Sequence, residues 1–140
     1  MAATTPRRKR SRRLRHNKKE LQRLLAPTST TRERVEGILS IGMPANDLAE
    51  LAETTESSVR HWLSGETEPR PEPAVALDYT RAAVKALVDA GMEPERIYRW
   101  LMSVDPKRFN SERPFDVLKV APMRVLTAAL EIGLEAGVAA

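Results

Sequence analysis

Apolar residues in this chain recur every three or four positions, and no useful length alternates with period two, a pattern that predicts an all-α fold. The first block, Asn17 to Ala26, puts Leu21, Leu24 and Leu25 on one face, with Asn17 and Glu20 at capping positions and Pro27 ending it. A polar joint, TSTT, follows. Thr30 and Glu33 then stand at capping-box spacing before Val35, Ile38 and Leu39, and Gly42 closes that helix. Next, Leu48, Ala49, Leu51 and Ala52 mark a short helix, Glu53 to Thr55 turn the chain, and Val59, Trp62 and Leu63 mark a second helix that Thr55 caps. GETEPRPEP reads as a proline-rich bend. A longer helix is expected from Ala74, burying Val75, Tyr79, Ala83, Leu87 and Ala90 and stopped by Gly91.

The remaining pattern is shorter. Pro94 suits a first helical position, and Ile97, Trp100, Leu101 and Val104 form the stripe behind it. DPKRFNSER reads as a polar loop, Pro114 opens a helix with Phe115 and Leu118 inward, and Pro122 opens the last one. That last helix carries only Arg124, Glu131 and Glu135 as charges, so its apolar face exceeds the usual ~100° and requires a cover. Glu131 and Glu135, on one face with Arg124 behind them, read as a solvated stripe. The organisation expected is a disordered basic arm at 1–16, a helical bundle at 17–92 and a small three-helix C-terminal domain at 93–140.

Two short helices meeting through a three-residue turn describe a helix-turn-helix, whose second helix docks in the DNA major groove. Its candidate DNA contacts are Thr55, Glu56, Ser57 and Ser58 at the helix start, with Arg60 and His61 further along. Trp62 is read as core.

Charge changes that picture. The net charge of +4 hides an asymmetry: residues 1–23 hold ten Lys or Arg against one acid, Glu20, which leaves 13 bases and 18 acids for the rest. Between Asn46 and Glu66 stand five acids, Asp47, Glu50, Glu53, Glu56 and Glu66, against Arg60 alone. The motif by itself therefore opposes a polyanion. The arm, with Arg7, Arg8, Lys9, Arg10, Arg12 and Arg13, supplies the compensating affinity for phosphates through counterion release.

Several chemistries drop out. There is no cysteine, which excludes disulfides, Cys-based zinc sites and a thiol nucleophile. His16 and His61 lie far apart without carboxylate partners at ligand spacing, and no Gly-rich phosphate loop or Ser-His-Asp set occurs, so neither a metal, a cofactor nor catalysis is expected. No apolar run approaches the roughly 18 residues that span a bilayer, and LQRLLA is too short for a secretory core, so the expected location is the cytoplasm without membrane contact.

At LAELAETTESSVRHWLSG the chain resembles the Xre or Cro-type helix-turn-helix, through Leu48-Ala49, Thr55-x-Ser57, Val59, Trp62 and the closing Ser64-Gly65. It departs at Glu53, where the family usually has glycine, and at Thr54, usually a small aliphatic. From Tyr98 to Gly137 it is similar to the toxin-binding domain of Xre/MbcA/ParS-like antitoxins: a Trp-Leu pair, a loop with Pro106 and Phe109, Arg113 to Leu118, and a final helix ending in Gly137. The resemblance implies a type II antitoxin that neutralises a RES-type, NAD-degrading toxin, forms a homodimer or a larger hetero-oligomer with it, and autorepresses its operon. It implies toxin contacts at Trp100, Lys107, Arg108, Phe109, Arg113, Leu134, Glu135 and Val138, with the tail Glu135 to Ala140 obstructing the toxin's substrate pocket. Two readings stand beside it: a stand-alone transcription regulator or nucleoid-associated protein whose last helices serve dimerisation, and an interaction module that never touches DNA.

Overall fold

The computed structural model describes residues 16–137, and these are all-α, with nine helices and no strand among the described residues. Residues 1–15 of the basic arm, with its six named Arg and Lys residues, and Val138 lie outside them. In chain order the helices are α1 (Lys18–Leu24), α2 (Thr31–Leu39), α3 (Ala45–Leu51), α4 (Glu56–Ser64), α5 (Pro71–Asp89), α6 (Pro94–Met102), α7 (Pro106–Phe109), α8 (Pro114–Val120) and α9 (Pro122–Glu135).

Local chemistry sets most boundaries. Asn17 caps α1 by accepting from the Glu20 amide at 2.7 Å. On α2 the capping box closes both ways: Thr30 Oγ1 accepts from the Glu33 amide, and Glu33 Oε1 accepts from the Thr30 amide. Each of the last five helices begins with proline, at Pro71, Pro94, Pro106, Pro114 and Pro122. A first-turn proline lacks only an amide that the helix leaves unpaired anyway.

The same rule corrects one expectation. The helix expected from Ala74 begins at Pro71, because both Pro71 and Pro73 fall within the first turn, where neither removes a helical hydrogen bond. Its inward face differs as well. Leu77, Thr80, Arg81, Ala83, Val84, Leu87 and Val88 are buried, whereas Val75 is 56% exposed and Tyr79 and Ala90 are only half-buried. Val104 is likewise exposed, since α6 has ended at Met102 before it. The polar loop expected at DPKRFNSER contains the one-turn α7, capped by the Asp105 carboxylate and anchored by a buried Phe109.

One continuous core runs from Leu21 to Ala129, and α9 packs along α5 more extensively than any other pair of helices in the molecule. Val125, Ala128, Ala129 and Gly133 are the buried face of α9. The boundary expected after residue 92 therefore does not divide the core: residues 93–137 pack onto the bundle as its second side.

Three polar anchors support the packing. Arg81, only 6% exposed, donates from its guanidinium to the Leu25 carbonyl at 2.8 Å and to Asp78 at 2.8 Å. That satisfies a carbonyl at the C-terminal end of α1. Tyr98 on α6 donates to Asp47 on α3 at 2.6 Å, and Lys119 on α8 pairs with Glu50 on α3. The last two tie the first helix of the helix-turn-helix to the C-terminal helices.

Candidate DNA-reading helix and C-terminal face

The turn between α3 and α4 rests on Glu53, whose φ is +54°. The Thr54 amide donates to the Ala49 carbonyl at 2.9 Å and the Glu53 amide to the Glu50 carbonyl at 3.2 Å. These two bonds form a Schellman closure, which requires a left-handed residue after the helix and ordinarily takes glycine there. Glu53 fills that place without the conformational freedom of glycine. Thr55 then caps α4 by accepting from the Ser58 amide at 3.1 Å, and Gly65, at φ +85°, closes the far end.

On α4, Val59 and Trp62 face the core, and Thr55, Ser57, Arg60 and His61 are exposed, with Glu56 and Ser58 half-buried. Four of the six sequence-proposed DNA contacts thus lie fully at the surface. Their charges, however, are engaged with one another. Arg60 forms an ion pair with Glu56 one turn back, and His61 lies 4.0 Å from Glu66. Thr55 and Ser58 share a hydrogen bond at 3.1 Å.

At the C-terminal face the sequence-proposed residues separate into two groups. Phe109 is buried, 6.3 Å from the half-buried Trp100 ring, whose indole N–H donates to Asp105 at 3.1 Å. Arg113 grips Asp116 through two bonds of 2.8 and 3.0 Å and stacks over Phe115. Arg108 donates to both Glu135 oxygens at 3.0 and 3.1 Å and lies 3.9 Å from Glu131, while its Nε has no hydrogen-bond partner. Trp100, Arg108, Phe109 and Arg113 therefore hold this chain together first. Lys107, Leu134 and Glu135 remain at the surface, with Lys107 3.8 Å from Glu135. The glutamates read as a solvated stripe are exposed, and Glu135 also clasps Arg108 of α7.

Sequence reasoning expected the wide apolar face of the last helix to need a cover without locating the part left bare, and it missed Tyr98. Burial of α9 against α5 leaves Met123, Leu130 and Leu134 uncovered at 55%, 55% and 62% exposure, on the side turned away from the core. Tyr98 was not singled out, yet its bond to Asp47 pushes the phenol up to about 12. Beside it, Arg113 holds the Asp116 carboxyl below the usual carboxylate range, and Glu50 raises Lys119. The signal for such a pair is long-range, between α6 and α3, and periodicity does not carry it.

Among the described residues no cluster of three or more His, Asp or Glu is placed to hold a metal ion, and no helix is long and apolar enough to cross a membrane. No family model, curated protein or solved structure matches the chain.

Proposed function

We propose that the chain is a non-enzymatic antitoxin that binds a RES-type, NAD-degrading toxin through its C-terminal face and represses its own operon by setting α4 into the DNA major groove. The observation that carries the reading is the pairing, on one core, of an outward-facing capped recognition helix with an apolar helix face that this chain leaves uncovered. A row of exposed Met and Leu side chains marks a surface that another protein covers. Leu134 and Glu135 at the C-terminal end of α9, and Lys107 on α7 beside Glu135, are exposed next to that row. On α4, Ser57 and Arg60 address base edges and phosphates, and affinity comes mainly from the basic arm. The expected setting is the cytoplasm, where operator and toxin are both met.

Co-expression with the adjacent reading frame tests this. The expected result is a neighbour whose NAD loss is relieved by this chain and which co-purifies with it; a neighbour that is neither toxic nor retained overturns the reading. A second reading, a stand-alone helix-turn-helix regulator or nucleoid-associated protein, is favoured by the engagement of Trp100, Arg108, Phe109 and Arg113 inside the chain. Sharp operator choice in the absence of any toxin, lost on changing Ser57 and Arg60, would support it.

A further inference from the structure

Along α9, the uncovered residues Met123, Thr127, Leu130 and Leu134 follow one another at steps of four, three and four. That spacing keeps them on a single narrow seam, with the small Thr127 in its middle, where close approach of a second helix meets least obstruction. Leu126 flanks the seam on the side of α5, and it lines a shallow cleft together with the exposed Val75. On the other flank stand Arg124 and Glu131, both on the outer surface. Arg124 stacks over the Phe109 ring at 5.4 Å and has no ion-pair partner among the described residues.

A two-fold axis perpendicular to α9 tests whether this surface complements itself. Placed near Thr127 and Ala128, it sets a second α9 antiparallel to the first and keeps each flank on its own side. Arg124 of one copy then lies opposite Glu131 of the other, and Met123 opposite Leu134, while Leu130 meets Leu126 and Thr127. These pairings centre within about one residue of each other, roughly 1.5 Å along a helix. One axis therefore satisfies both the apolar and the charged parts of the surface, as an isologous interface demands.

We infer that the α9 seam is the contact through which two copies of this chain pair, antiparallel, with Arg124 and Glu131 fixing the register. A 14-residue helix is about 21 Å long, so even with Val75 beside it the contact is small against the roughly 1,200–2,000 Å² that stable pairs bury. The dimer is thus concentration-dependent. The inference does not rest on the toxin reading, although both use the exposed face of Met123, Leu130 and Leu134, so that a toxin seated there displaces the second copy.

Sedimentation equilibrium of the full chain alone, over a wide concentration range, tests it. The wild type is expected to pass from monomer to dimer, and Leu130→Glu to raise the dissociation constant at least tenfold with unchanged helical circular dichroism. Because the natural chain has no cysteine, orientation is read separately. A mixture of Met123→Cys and Leu134→Cys chains is expected to form a disulfide-linked heterodimer on mild oxidation, faster than either chain forms one with itself. A monomeric wild type, a dimer indifferent to Leu130→Glu, or crosslinking of each cysteine chain to its own kind in preference to the other would each overturn the proposal.

Discussion

The phenol of Tyr98, on α6, donates to the Asp47 carboxylate, on α3, at 2.6 Å, joining residues 51 positions apart. With the Lys119–Glu50 pair, it is one of two polar links by which the C-terminal helices reach the first helix of the helix-turn-helix. Its phenol is raised from 10.0 to about 12, chiefly because an ionised phenolate would lose this bond to a carboxylate. A raised folded-state value means that the stabilisation is fully present below pH 10 and is lost as the pH rises through about 12. One of the two tyrosines should accordingly ionise late in a spectrophotometric titration at 295 nm. Tyr98→Phe should cost about 1 kcal/mol in urea unfolding at pH 7. A mutant as stable as the wild type would show that the bond contributes nothing net.

Glu53 offers a test in the opposite direction. Its left-handed backbone carries a penalty of roughly 1 kcal/mol or more for any residue with a Cβ, and glycine avoids it at some cost in unfolded-state entropy. Glu53→Gly should leave the protein unchanged or more stable, by up to about 1 kcal/mol, and removes a carboxylate beside α4. Destabilisation on chemical denaturation would mean that the Glu53 side chain supports the turn.

Gly37 should behave in the reverse manner. Replacing a helical glycine by alanine normally stabilises a helix, but a Cβ here would lie 2.7 Å from Leu25 Cδ2 and 2.9 Å from Leu25 Cγ. Leu25 is fully buried and has nowhere to retreat. Gly37→Ala should therefore cost about 1–3 kcal/mol, seen as a lowered denaturation midpoint.

Glu56 holds Arg60, the sole Arg or Lys of α4. Glu56→Gln should release that guanidinium and remove a negative charge from the outer surface of α4. If α4 contacts DNA, affinity for a duplex of the upstream region should rise, and the slope of log K against log salt should steepen by about one unit. Fluorescence anisotropy across several salt concentrations measures both, and an unchanged slope would remove Arg60 from the interface.

Arg81 should tolerate no apolar replacement. Arg81→Met leaves the Leu25 carbonyl without its buried donor and Asp78 with Arg34 alone, 3.5 Å away, a loss of about 1–3 kcal/mol. Calorimetric melting of the variant checks this.

Much of this architecture is written locally and is therefore readable. Asn17, the Thr30–Glu33 box, Thr55 and the helix-opening prolines act within one turn of where they sit, and the burial of Val59 and Trp62 follows from spacing on α4. The inward face of α5 was less legible, because in an alanine-rich helix several faces are equally apolar. Which one is buried depends on where α9 lands, and that turned Val75 outward. The candidate site follows the same division. The outward placement of Ser57, Arg60 and His61 follows from periodicity, whereas the pairing of Arg108 with Glu135, 27 residues away, depends on tertiary packing. So does the burial of Phe109 within a segment whose composition suggests only a loop.

The long contact of α5 with α9 governs how this molecule can be taken apart. A fragment ending at Gly91 would keep every residue of the helix-turn-helix yet strip α5 of the helix it packs against most. Such a piece is expected to aggregate or melt early, and the intact chain to unfold in one cooperative transition. Roles for the two ends are then separable by single surface substitutions, and not by cutting the chain.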